Sequence, residues 1–318
     1  MFALLLSLNA FAGDLSPRWE PGQAVRYHAE TLFSAGSLPM IARQNTEARA
    51  VKLAVTLDLA CVPTARKKGW ELVCDVEGAK LQGEAVPGEQ ERLDQVLAES
   101  ASTFAAATVV VGLSADGRVS SVDLRDVDRS DERSAQIAET LRQMARRAVA
   151  PLDVEMPKDG EDPGKPWKQG GTPLAAELFV NSVPVWSGAG SSATPVAGGV
   201  SGGVSLKTSV KGRDGAVATL ETVGQCNVAS LVTDTNTYFA HVEISSTGRF
   251  DTATGQISYR LLEVSAKDGP SASVRTLADG YRQVAWIARW NADGSLEGPD
   301  GAIKPEAPTE APAEAPAP

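Results

Sequence analysis

The chain has 318 residues, 42% of them hydrophobic, and a formal net charge of -10 at pH 7. That length accommodates one large β domain or two smaller ones, and that apolar content builds a core and excludes wholesale disorder. The acidic balance excludes a general nucleic-acid binder, which needs a basic surface, and simple electrostatic attachment to anionic lipid. Calcium binding stays open on charge alone.

Residues 1–12, MFALLLSLNAFA, form an apolar run that ends in Ala10-Phe11-Ala12 ahead of Gly13, the small-residue pattern that signal peptidase accepts. The run falls short of the about 20 residues that span a bilayer. It reads as a signal peptide whose start lacks the usual basic residues; the alternative is a buried N-terminal strand. No cysteine follows the break to carry a lipid anchor, and no other segment is apolar enough to span a membrane. The expected mature protein is periplasmic or secreted.

Alternation begins in AVRYHAETLF, where Val25, Tyr27, Ala29 and Phe33 point inward and Arg26, His28 and Glu30 outward. It continues in VKLAVTLDLAC, with Val51, Leu53, Val55, Leu57, Leu59 and Cys61 on one face against Lys52, Thr56 and Asp58. After Arg66-Lys67-Lys68-Gly69, the residues Trp70, Leu72, Cys74 and Val76 again share a face. Folding the two runs about that turn sets Cys61 opposite Cys74 and Leu59 opposite Val76. A metal site would need more ligands than the two distant histidines supply, and a redox pair would need CxxC ahead of a helix. The geometry therefore predicts a structural disulfide, Cys61–Cys74, which fits an oxidising compartment. Cys226 is left over and reads as buried and unreactive.

The period then changes. Leu93, Val96, Leu97, Ala101 and Phe104 recur at helical spacing over 89–105. A hairpin follows, ATVVVGLS and RVSSVDL about Ala115-Asp116-Gly117, and then a second helix. Its expected N-cap is Ser130, its stripe is Ile137, Leu141, Met144, Ala145 and Ala148, and Pro151 stops it. Residues 157–203 are rich in Gly, Pro and Ser and read as long loops, with only LAAELFVNSVPVW strand-like. From Val204 a meander resumes through VSLKTSV, AVATLETV, the run Tyr238–Ser245, QISYRLLEV and YRQVAWIARW. KPEAPTEAPAEAPAP, ending at residue 318, is a Pro/Ala/Glu tail that cannot form a core.

These elements predict a mainly β (α+β) fold: a large curved antiparallel sheet or half-barrel of roughly ten strands, with two amphipathic helices packed on its concave face. It occupies residues 13–303, as one unit or as two lobes joined by the loops of 157–203, followed by a disordered tail at 304–318.

Chemistry is sparse. His28 and His241 alternate onto strand surfaces beside Glu30 and Glu243. Gly199–Gly203 has the glycine–serine spacing of the trypsin-like nucleophile loop, but Val200 stands where that loop has Asp. The GxGxxA match at Gly188–Ala193 runs into Pro195 where a helix should start. Asp123, Asp126, Asp128 and Asp131 lack the spacing and glycine of a calcium loop and read as a solvated turn with helix-end charges. We expect no catalytic, cofactor-binding or metal residues.

The stretch Trp19–Leu32, WEPGQAVRYHAETL, with the long amphipathic strands after it, resembles the start of the N-terminal sheet module of vitellogenin-like lipid transfer proteins. The overall order of strands, helix, LSADGRV hairpin, second helix and PLDVEMP…PWKQG is similar to exported bacterial β-sheet proteins of unknown function. The first resemblance covers about a tenth of the chain. Neither resemblance supplies functional residues. An apolar sheet face covered by two helices and joined to long Gly-rich loops leads us to expect a non-catalytic exported protein that binds an apolar or amphipathic, lipid-like ligand. Leu53, Val55, Leu57, Leu93, Leu97 and Phe104 are the expected apolar ligand-facing residues. The competing expectation is a structural or partner-binding cell-envelope component, with an envelope protein as partner; an enzyme is third.

Overall fold

The computed structural model describes residues 15–34, 50–85, 87–157, 163–170, 173–180, 198–200, 205–233, 236–268 and 281–303. The signal-peptide segment, the C-terminal tail and most of the Gly/Pro-rich stretch within 157–203 lie outside them.

The chain enters with β1 (Val25–Ser34), β2 (Ala50–Arg66) and β3 (Gly69–Ala85), followed by α1 (Gln90–Ala105). The hairpin β4 (Thr108–Ser114) and β5 (Val119–Arg125) leads to α2 (Glu132–Val149) and a single 3-10 turn, Ala150–Leu152. Next come β6 (Trp167–Lys168), α3 (Leu174–Val180) and β7 (Gly198–Val200). The meander is β8 (Ser205–Asp214), β9 (Val217–Thr233), β10 (Asn236–Asp251), β11 (Gln256–Asp268) and β12 (Tyr281–Arg289), and β13 (Leu296–Gly298) and β14 (Gly301–Ile303) form a small terminal hairpin.

Twelve of these strands make one antiparallel sheet, in the order β5-β4-β3-β2-β1-β12-β11-β10-β9-β8-β6, with β7 added to β9. The ends do not meet, so the sheet is open rather than a barrel. The two strand-rich parts of the sequence therefore belong to one sheet, joined where β1 pairs with β12 from Tyr27↔Arg289 to Phe33↔Gln283. The sequence's count of about ten strands misses the two- and three-residue strands β6, β7, β13 and β14, which are too short to show any alternation.

Register follows the apolar pattern. Phe33, Leu53 and Gly83 line up across β1, β2 and β3, and Ala29, Leu57 and Ala79 line up four residues along on the same face. Phe33, Ala29, Leu53 and Leu57 are buried and Ala79 is half-buried, while Arg26, Lys52, Glu77 and Lys80 are exposed on the opposite face. A one-residue slip would invert both sets, so the core fixes the pairing. Cys61 stands opposite Cys74 and Leu59 opposite Val76, and the two sulfurs are bonded.

The helices cover the apolar face. α1 folds back on β3, and a Cβ at Gly83 would lie 2.9 Å from Leu93 Cδ2 and 3.0 Å from Leu97 Cδ1. A larger residue there would have to push both leucine side chains aside. Gln90 ties its start to β3, accepting from Ala85 N at 2.9 Å and donating to Gly83 O at 3.0 Å. Gly117, at φ +91°, supplies the left-handed residue of the β4–β5 turn.

Three local expectations need correction. The N-cap of α2 is Asp131, not Ser130: its Oδ1 accepts from Ser134 N at 2.9 Å, and Ser130 N instead donates to Asp128 Oδ1. A carboxylate adds its charge to the N-terminal end of the helix dipole, which a hydroxyl cannot. Ile137, placed in the apolar stripe, is 38% exposed, and Ala138 and Arg147 are buried instead. Leu174–Val180, read as strand-like, is helical; seven residues carry too few repeats to tell the two periods apart, and Leu174, Ala175 and Leu178 are buried.

Candidate functional site

The residues expected to face a ligand are sealed in the core. Leu53, Val55, Leu57, Leu93, Leu97 and Phe104 all belong to one continuous buried cluster with Leu141, Met144 and Ile287. Val55, Leu57 and Phe104 have no exposed surface. They pack the inside of a closed layer. The structure leaves two other places where side chains could act: a polar strap under α2, and the sheet face that the long helices leave open.

The strap is Ala150–Met156, the PLDVEM stretch and the residue before it, buried throughout. Asp153 Oδ1 accepts from Arg118 Nε at 2.7 Å and Val119 N at 3.0 Å, and its Oδ2 accepts from Leu174 N at 2.7 Å. Glu155 Oε2 lies 3.5 Å from Arg118 Nη1 and accepts from Gly170 N. Burial opposes the charge of Arg118, but the two carboxylates outweigh it and hold its pKa above the usual value. Arg260 reaches the strap from β11, donating through Nη1 to Pro151 O at 2.9 Å and Asp153 O at 2.8 Å, and through Nε and Nη2 to Ser246 Oγ. Its complete burial lowers its pKa to about 10, against the favourable charge of Asp153. Arg147, also fully buried, donates to Gln283 Oε1 at 2.7 Å and Leu178 O at 3.1 Å and lies 5.3 Å from the Phe33 ring centroid. The hydrogen bonds these guanidinium groups make go to fixed protein acceptors, so they anchor the strap, α2 and α3 to the sheet.

Sequence reasoning missed the strap, although signals existed. Arg260 has the same alternation phase as buried Leu262 and Val264. Arg147 lies three residues after Met144 and one before Ala148, beside the apolar stripe of α2.

On the open face, His28 stands between two carboxylates. Its Nδ1 lies 2.8 Å from Asp58 Oδ1 on β2, and its Nε2 lies 3.2 Å from Glu30 Oε1 on β1. Glu30 Oε2 also accepts from Trp286 Nε1 of β12 at 3.0 Å. The His28 ring is 5.0 Å from that of Trp286 and 6.2 Å from that of Trp290, and the Arg26 guanidinium lies over Trp290 at 5.6 Å. Burial alone would lower the His28 pKa; the hydrogen bonds and charges of Asp58 and Glu30 outweigh it and push it up to about 9.

Beside this cluster an open groove of about 590 Å³ runs across β8–β12. Two cross-strand rows form it: Ser205, Gln225, Glu243, Ser265 and Arg282, and then Lys207, Val223, Ser245 and Glu263. Arg282 pairs with Glu263 at 3.6 Å, and Val223 is 48% exposed. A second cavity, of about 20 Å³ beside Trp19 and Met156, has room for no more than a water molecule. None of the six expected ligand-facing residues lines either one.

Among the described residues no group of three or more His, Cys, Asp or Glu side chains could hold a metal ion. Asp126 accepts from Thr108 Oγ1, Asp128 from Ser130 N, and Asp131 caps α2, so these members of the acidic cluster serve a turn and a helix end. Cys226 is buried, which raises its pKa to about 11. No helix among the described residues is long and apolar enough to cross a membrane. No protein-family model matches the chain, and no curated protein is significantly similar to it.

Proposed function

We propose that this protein is an exported, non-catalytic envelope component that binds a partner protein through the open face of its sheet. One contrast carries the reading. The helix-covered side is packed solid, while the other face presents a groove five strands wide, with Leu32 and Val223 exposed at 50% and 48%. At a strand spacing of about 4.8 Å, five strands span about 20 Å, enough for a protein footprint of standard size. Export is supported by the Cys61–Cys74 bond, since thiols so placed stay reduced in the cytosol.

The groove itself favours a second reading, an amphipathic lipid-like ligand. Its walls mix charges of both signs with the exposed Val223, and such a ligand would lie here rather than beneath α1.

Crosslinking in the native envelope, with Val223→Arg and Leu32→Arg as comparisons, tests the first reading. The wild type should give one dominant protein adduct that both variants lose at unchanged melting temperature. Equal crosslinking by all three would refute it. Native mass spectrometry separates the second reading: a co-purifying lipid lost in Val223→Arg supports the carrier, and a bare mass supports the partner binder.

A further inference from the structure

The two halves of the sheet meet at one strand pair. Among the described residues, β1·β12 is the strand pairing that links β1–β5 with β6–β12, closed at its end by Trp290 N donating to Arg26 O at 2.9 Å. The His28 cluster sits on that line. His28 and Glu30 belong to β1, Asp58 to β2, and Trp286 to β12, where it is directly opposite Glu30.

Both ring nitrogens of His28 lie within hydrogen-bond distance of carboxylate oxygens. An ionised carboxylate only accepts, and a neutral imidazole has one N–H and one lone pair. A neutral ring would turn its lone pair towards one carboxylate; only the imidazolium donates to both. The surroundings agree. Two indoles flank the ring, and an aromatic face favours a cation. Other charges nearby are compensated or set back: Arg26 of β1 is paired with Glu77 of β3 at 2.6 Å, and Lys80 of β3 lies opposite Thr56, beyond Asp58's own position. From β12, Trp286, Ala288 and Trp290 contribute no charge.

We propose that His28 is a protonated latch across this join: it donates both N–H groups to Asp58 and Glu30, Glu30 holds Trp286 of the facing strand, and loss of the proton loosens β1 from β12. The folded-state pKa lies above the unfolded value of about 6.5. The latch therefore contributes its full stability below about pH 6.5 and loses it as pH rises through about 9. On the acid side, the hydrogen bond from His28 depresses the Glu30 carboxyl, whose contribution is lost as pH falls through that depressed value.

The test is a pH titration of the full chain. Nitrogen NMR of histidine-labelled protein, with His241→Gln to assign the two signals, should show both His28 nitrogens protonated at neutral pH and titrating near pH 9. The melting temperature should fall between about pH 7 and about pH 10 in the wild type and much less in His28→Gln. Leu32 and Val284 are directly opposed across the join. A disulfide made there by Leu32→Cys with Val284→Cys should slow the alkaline proteolysis of β1 and β12 that the loosened join permits, back towards its rate at neutral pH. A neutral single tautomer at pH 7 would overturn the proposal, as would an equal alkaline loss in His28→Gln or alkaline proteolysis that the crosslink does not slow. Should His28→Gln not fold, Asp58→Asn serves instead: the His28 titration must move to lower pH, and an unmoved one overturns the latch.

Discussion

At the scale of single residues, stability is concentrated in side chains that a composition count would place on the surface. Asp153 is the clearest case. One carboxylate gathers Arg118, Val119 N and Leu174 N, joining β5, the strap and the start of α3, with its side chain 3% exposed. Removing one member of a buried pair leaves the other charge uncompensated, a loss of about 3–5 kcal/mol. Asp153→Ala should therefore lower the midpoint of urea unfolding by that equivalent, while Asp128→Ala, at an exposed turn, should leave it nearly unchanged. Sequence reading found the disulfide because alternation fixes direct opposition within one hairpin. Asp153 was not legible in this way: its partners lie 35 and 21 residues away, and no local period relates a strap to a strand end.

At the scale of elements, the long repeats were readable and the short ones were not. α1 and α2 run for 16 and 18 residues, long enough for a 3.6-residue stripe to declare itself, whereas α3 has seven. What the stripe does not reveal is whether the space beneath a helix is filled. Leu97 illustrates the difference. If it faced a ligand cavity, truncating it would cost little in the ligand-free protein. Packed as it is between β3 and the core cluster, Leu97→Ala should cost about 2–5 kcal/mol in chemical denaturation. A loss below about 1 kcal/mol would show that α1 covers a void and would reopen the carrier reading beneath it.

For the whole molecule, the join between β1 and β12 decides how the chain behaves as a unit. One hydrophobic cluster runs from Val55 and Leu57 through Leu141 and Met144 to Phe250 and Ile287, crossing the join without interruption. Arg147 adds a polar tie, touching Phe33 of β1, Gln283 of β12 and Leu178 of α3 from a single buried guanidinium. Far-UV circular dichroism and tryptophan fluorescence should therefore report one coincident unfolding transition for the wild type. Two separated transitions would mean that the N- and C-terminal strand sets fold independently.

The sequence by itself determined the class of fold, the inward and outward faces of β1, β2 and β3, both long helices and the Cys61–Cys74 bond, because each follows from a period or a spacing within a short stretch of chain. Tertiary structure alone decided that the two strand sets share one sheet, that the expected ligand-facing residues are core, and that His28 sits between two carboxylates. Those outcomes depend on which distant strands become neighbours. Residues such as Glu30 and Trp286 are 256 positions apart in the chain, and only the closing of β1 on β12 makes them a pair.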